Sequence, residues 1–200
     1  MTKNKVKFGL KNVHYALLTV SEEGAVSFGA PVPIPGAVSM SLSPQGETET
    51  FYADDIAYYV STANNGYQGD LEIALLPDSF RTDVLREVED ETDHVLVEKS
   101  TAEPQPFALL YQFTGDQQAS LRVLYNCAAA RPSEASSTIK NTKTPTTDTL
   151  SLTASPLANG NIKAKTTADT PDEIKKNWFK SVWQPGCLLY TSDAADEEDS

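Results

Sequence analysis

Apolar and polar side chains alternate without a fault through Val38-Ser39-Met40-Ser41-Leu42-Ser43. A period of two marks a strand with one buried face, so Val38, Met40 and Leu42 are expected to point together into a core. The same period, or a composition rich in β-branched and aromatic residues, returns at Val13 to Val20, Ala25 to Phe28, Glu47 to Tyr52, Ile56 to Thr62, Asp70 to Leu76, Val95 to Glu98, Phe107 to Thr114, Ser120 to Ala130, Thr149 to Ala154 and Ile162 to Lys165. Turn signals punctuate them: Ser21-Glu22-Glu23-Gly24, Ser43-Pro44-Gln45-Gly46, Asn64-Asn65-Gly66, Gly115-Asp116 and Asn159-Gly160. A chain of about ten short strands must find its core between sheets.

Two segments change period. After Pro77, Asp78 is placed as an N-cap, and Phe80, Val84, Leu85 and Val88 recur at helical spacing, predicting a helix over 79–90. Thr170-Pro171 reads as an N-cap followed by proline at the first helical position, opening a helix over 171–182 that presents Ile174, Trp178, Phe179 and Val182. Pro31, Pro33 and Pro35 confine residues 30–36 to an edge or an extended connector. Leu71, Ile73 and Leu75 are expected on one core face with Met40 and Leu42, under the first helix. The fold class is therefore mostly β (α+β), with antiparallel hairpins, a flanking α-helix and a C-terminal helix.

A chain of 200 residues with 40% hydrophobic and 22% charged residues is long enough for one sizeable domain and too apolar for disorder throughout. Its longest apolar stretches, Ile73 to Leu76 and Phe107 to Tyr111, fall far short of the roughly 20 residues that span a bilayer, and no apolar run follows the basic N-terminus; no membrane segment and no signal peptide are expected. The formal net charge of -12 repels phosphate backbones and disfavours tight nucleic-acid binding. Cys127 and Cys187 show no metal-ligand spacing, and Cys127 reads as a buried structural thiol. That usage suits a chain made, or assembled, inside a cell.

The residue types that carry chemistry do not converge. His14 falls in a strand and His94 at the end of an acidic run, far apart in the sequence. Asp54-Asp55 reads as a turn, because adjacent strand residues point to opposite faces and cannot act as a carboxylate pair. The run Glu87, Glu89, Asp90, Glu91, Asp93 lacks the glycine and spacing of a calcium loop and reads as a solvated helix end. Trp178, Phe179 and Trp183 suggest a sugar-stacking platform or, at helical spacing beside Ile174, the cover of a core. No phosphate-cradling glycine loop, nucleophile elbow or dinucleotide fingerprint is present. No catalytic, cofactor-binding or metal residue is assigned, no cofactor is implied, and the chain is not expected to be an enzyme.

Cys187 to Glu197 (CLLYTSDAADE) fits no structural pattern and reads as a translation of the transposon-end adapter used in sequencing libraries. Residues 1–186 are then the natural domain, with an N-terminal arm over 1–11, and residues 187–200 are expected not to be native or packed. Removing their five acidic residues takes the net charge from -12 to -7, and the natural chain is expected to continue past Gly186.

The stretches KVKFGLKNVHYALLT, VPIPGAVSMSLSPQGETETFYADDIAYYV, NNGYQGDLEIALLPDSFRTDVL, FALLYQF and LYNCAAARPS resemble the major tail proteins of siphophages infecting Gram-positive bacteria, over about residues 3–186. The resemblance implies a tail-tube-type antiparallel β-sandwich without catalytic residues. Its subunits form hexameric rings, stacked into a hollow tube through which phage DNA leaves the virion without specific binding. The implied partners are other copies of the chain, the tape measure protein and other tail proteins; the implied location is the phage tail, assembled in the host cytoplasm. The arm 1–11, the segment 44–69 and the polar loop 133–148 are expected to carry subunit and ring contacts, and an acidic lumen would repel DNA phosphates. The rival reading is a phage or secreted β-sandwich that binds carbohydrate or cells, motivated by the tryptophans and polar loops. An independent clone of the locus is expected to diverge after Gly186; the same CLLYTSDAADE run in that clone refutes the adapter reading.

Overall fold

Phe107 to Tyr111 are five consecutive buried residues, and a strand accepts such a run only if both of its faces are covered. This strand sits at the centre of the structure, a computed structural model that describes residues 8–115, 120–133, 136, 138 and 145–186. The elements in chain order are β1 (Leu10–Val20), β2 (Val26–Phe28), β3 (Val32–Pro33), β4 (Ala37–Gln45), β5 (Thr48–Ala53), β6 (Ile56–Thr62), β7 (Gly66–Ile73), α1 (Asp78–Asp83), β8 (Val88–Glu89), β9 (Leu96–Val97), β10 (Phe107–Phe113), β11 (Leu121–Ala129), β12 (Asp148–Ala154), β13 (Lys163–Lys165) and α2 (Asp172–Asn177). The fold is mostly β, with antiparallel sheets. Nine strands form one sheet in the order β2-β1-β10-β11-β12-β7-β4, with β3 added to β1 and β13 to β11; β5–β6 and β8–β9 are separate two-stranded sheets.

The large sheet curls on itself. Its inner face brings Tyr15, Phe107, Leu109 and Leu124 from one half against Leu71, Ile73, Leu150 and Leu152 from the other, a sandwich-like core. Residues 32–36 help to close the curl: the Ile34 amide donates to the Val13 carbonyl (2.7 Å) and the Gly36 carbonyl accepts from the Ala74 amide (2.8 Å). The proline-rich stretch is thus the edge connector that its missing donors require. On the outer face, Leu18, Ala108, Leu110, Val123 and Tyr125 pack under the segment that carries α2 and Trp178.

A bulge decides which face β11 serves. The register steps from Leu109↔Leu124 to Phe107↔Cys127, so two residues of β11, Tyr125 and Asn126, oppose Ala108 alone. Before the bulge even-numbered residues point inward, and after it Cys127 and Ala129 do. The bulge also marks a change of partner, from β13 at Arg122 to Leu124 to β12 at Cys127 to Ala129. Gly66, at the start of β7, has φ 111°, and a Cβ there would lie 1.8 Å from the Ala154 carbonyl oxygen, so only glycine fits this turn.

Several expectations are corrected. Val38 is 53% exposed because the pairing of β4 with β7 jumps from Ala37↔Ile73 to Ser39↔Glu72, leaving Val38 as an extra residue outside the ladder. Met40 and Leu42 do face inward, half-buried at the rim. Leu75 is 72% exposed, since β7 ends at Ile73 and the chain turns before Leu76, which is buried instead. The first helix is only Asp78–Asp83, with Pro77 rather than Asp78 at its N-cap. Arg86 adopts a left-handed conformation (φ 61°) and the Glu87 amide reaches back to the Arg81 carbonyl (3.1 Å), which ends helical propagation and moves Val88 into a strand. Phe80, Val84 and Leu85 are nonetheless buried, Phe80 edge-on to Tyr15 (5.1 Å) and Phe107 (5.4 Å). The second helix is likewise short, Asp172–Asn177, capped by Pro171 one residue later than expected. The turn readings at Ser21 to Gly24, Asp54-Asp55 and Asn159-Gly160 fall at turns in the structure, whereas Ser43 to Gln45, read as part of a turn, are the last residues of β4 and pair with β7. Residues 116–119, most of the loop 133–148, residues 1–7 and residues 187–200 lie outside the described residues.

Ile73→Ala should destabilise the unassembled protein by about 2–5 kcal/mol through lost transfer energy and a cavity. Leu75→Ala should change stability by no more than about 0.5 kcal/mol; equal effects in denaturant unfolding would overturn the face assignment. Burial also pushes the Tyr15 and Tyr125 hydroxyls and the Cys127 thiol up to about 12. The folded state therefore keeps protons that the unfolded chain, with ordinary values of 9.0 and 10.0, releases first. Stability from these groups is intact below about pH 9 and falls as the pH rises from there toward 12. The Tyr125 hydroxyl is buried without a hydrogen-bond partner, so Tyr125→Phe should be neutral or stabilising and should shallow the alkaline fall.

Candidate functional site

The residues that could have carried chemistry are dispersed. His14, on β1, stacks on Phe179 (4.8 Å), with its Nδ1 3.0 Å from the Asn12 carbonyl oxygen. His94 lies in the β8–β9 connection with Nδ1 2.8 Å from Glu89 Oε1. The acidic run is this connection rather than a helix end: Asp90 Oδ1 accepts from the Thr92 and Asp93 amides, both at 2.9 Å. Those two bonds, chiefly the one from Asp93, hold the Asp90 carboxyl below its usual range. Among the described residues no group of three or more His, Cys, Asp or Glu side chains is placed to hold a metal ion. Cys127 is fully buried. Trp178 is turned into the outer-face core, its indole N–H donating to the Arg122 carbonyl (3.3 Å), while Trp183 stacks on it at 6.3 Å. The aromatic platform is thus largely spent on covering the sheet. No helix among the described residues is long and apolar enough to cross a membrane.

Two surfaces remain that no element of the fold explains. The first is the β5–β6 hairpin. Asp54 (φ 52°) and Asp55 (φ 62°) are its two turn residues, both left-handed as a type I′ turn requires, and they link Ala53 to Ile56. Among the described residues the hairpin pairs with no other strand. Its large apolar side chains, Phe51, Tyr52, Ile56, Tyr58, Tyr59 and Val60, are all more than half exposed, up to 71% for Tyr58. Phe51 opposes Tyr59 on one face and Thr50 opposes Val60 on the other, so neither face is the wet one. An isolated two-stranded hairpin is marginal in water, and a contiguous apolar patch of this kind marks a contact surface.

The second surface is the outer face of β4, β7 and β12. Strand register arranges nine outward side chains in three rows: Ser39, Glu72 and Thr149; Ser41, Asp70 and Ser151; Ser43, Gln68 and Thr153. The rows are small and polar, hold two carboxylates and contain no cation. Ser39 Oγ donates to Glu72 (2.7 Å), Thr147 Oγ1 to the other oxygen of Glu72 (2.6 Å) and Ser151 Oγ to Asp70 (2.7 Å). The Thr147 and Ser39 hydroxyls hold the Glu72 carboxyl below its ordinary range. Alternation signals outward polar residues in each strand, but which strands lie side by side, and hence the patch, is not readable from periodicity.

No protein-family model and no curated protein matches this chain.

Amide hydrogen exchange of the unassembled protein should be fastest in β5 and β6 and slowest in β10 and β11. Replacing a left-handed aspartate with glycine, Asp55→Gly, should slow exchange across the hairpin by about two- to fivefold, corresponding to about 0.5–1 kcal/mol of relieved turn strain. Exchange in β5 and β6 as slow as in β10 would show that the hairpin is supported within one subunit.

Proposed function

We propose that the chain is the major tail tube subunit of a siphophage, assembling with copies of itself into hexameric rings that stack as a hollow tube for DNA ejection. The β5–β6 hairpin carries this reading. It is an apolar arm that pairs with no other strand among the described residues, and it lies within the 44–69 segment whose composition suits contacts that order on association. An arm on one surface that docks on a different surface of the next copy makes a heterologous contact, and such contacts close into rings when the rotation permits. The three-row face of β4, β7 and β12 is the candidate lumen lining. Two carboxylates among six hydroxyls and one amide, with no lysine or arginine, offer a polyanion no cation to hold. Tape measure protein and other tail proteins are the further partners in this reading, and the virion is its location.

Electron microscopy of the purified protein tests it. Rings or tubes with sixfold symmetry are expected, and deletion of residues 48–62 should leave monomers. Soluble monomers that bind glycan would overturn the reading in favour of a carbohydrate-binding module. In assembled tubes, Asp70→Lys with Glu72→Lys should confer salt-sensitive DNA retention that the parent tubes lack; tubes that retain no DNA would overturn the lumen assignment.

A further inference from the structure

Three basic side chains share the inner face of the sheet at one end of the fold. Arg122 on β11 stands opposite Lys165 on β13, and Leu124 stands opposite Lys163. Leu124 points into the inner core, so the pleat places Arg122, Lys163 and Lys165 on that same side. Core packing stops there. Beyond Leu124, side chains including Tyr67, Tyr111 and Phe113 line a cavity of about 140 Å³ that opens to solvent and that Arg122 and Lys163 also line.

The two cations in this cavity are held by rings. The Arg122 guanidinium lies 4.8 Å from the centre of the Phe113 ring, and the Lys163 ammonium lies 4.1 Å from that of Tyr67 and donates to its hydroxyl. Ring faces attract a cation without neutralising it. None of the ion pairs among the described residues includes Arg122, Lys163 or Lys165. Arg122 Nε is also buried with no acceptor, and a buried charged donor without a partner is costly. Burial holds the Tyr111 hydroxyl above its ordinary value, against a smaller opposing pull from Arg122, so it stays protonated and able to donate near neutral pH. The cavity therefore presents two positive charges whose polar partners are the neutral Tyr67 and Tyr111 hydroxyls, and no carboxylate among its lining residues balances them.

We propose that this cavity is an oxyanion site, taking the phosphate or carboxylate group of a small ligand between Arg122 and Lys163. A guanidinium offers such a group two parallel N–H donors, and the ammonium supplies the second charge. The chain as a whole is strongly acidic, with net charge -12, so it gathers no general cloud of anions; binding here would be a property of the cavity. The site does not depend on the tube reading and would stand in a chain of any function.

Thermal unfolding of the full chain at pH 7, titrated with inorganic phosphate or with glutarate against sodium chloride of matched ionic strength, tests the site. A saturable rise of roughly 3–6 °C at tenfold excess over half-saturation is expected for at least one of the two probes and not for chloride. The probe that half-saturates at the lower concentration names the group the cavity prefers. Lys163→Met, at an exposed position, should leave the unliganded midpoint near that of the parent and raise the half-saturation concentration about tenfold. Arg122→Lys should weaken the rise through loss of the two-pronged contact, whereas Lys176→Met with Lys180→Met, on the C-terminal segment, should leave it unchanged. A rise that fails to saturate, that chloride reproduces, or that Lys163→Met leaves untouched would overturn the proposal.

Discussion

Everything in the fold is arranged around the burial of β10 on both faces. Phe107, Leu109 and Tyr111 enter the inner core while Ala108 and Leu110 enter the outer one. A strand with no wet face cannot be stable in a single flat sheet, so two separate covers must be recruited. The inner cover is the far half of the same sheet, brought round by its curl and plugged by Phe80 of α1. The outer cover is the C-terminal segment, where Trp178 is buried and Ile174, Phe179 and Val182 pack beside it. Both helices are short: α1 buries Phe80, and α2 buries no residue of its own but ends at Trp178, which is buried at its C-cap.

The bulge at Tyr125-Asn126 divides the labour of the longest-buried pair of strands. By reversing which residues of β11 point inward, it lets one half of the strand be closed by β12 and the other by β13. The consequence is an inner core that is sealed along β12 but open at the β13 end, where Arg122 and Lys163 take the place of aliphatic side chains. The same departure from regular pairing thus stabilises the fold and leaves a charged cavity in it. On the far side of the sheet, the exposed face of β4, β7 and β12 and the unsupported β5–β6 hairpin are contiguous in the chain, because β5 and β6 form the connection between β4 and β7. The β4–β7 segment thus supplies the apolar hairpin and two of the three strands of the polar face.

The class of fold was legible in the sequence, since alternation in Met40 to Ser43, Leu71 to Ile73 and Thr149 to Ala154 admits only strands, and Asp54-Asp55 and Asn159-Gly160 mark turns locally. Helical spacing also selected Phe80, Val84 and Leu85 for burial whatever the helix length, although Val88, selected by the same spacing, is 45% exposed in β8. Tertiary structure decided the rest. Val38 and Leu75 fit their alternating patterns yet lie outside, because a bulge and a strand end are set by the partner strand's register and leave no local mark. The first helix stops at Asp83 because Arg86 is forced into a left-handed turn that leads the chain into β8, an event no helical propensity reports. The hydroxyl and carboxylate rows and the Arg122 cavity exist only where distant strands lie side by side, and the pairing of residues 80 or more apart, such as Asp70 with Ser151, is a property of the closed sheet that periodicity in one strand does not encode.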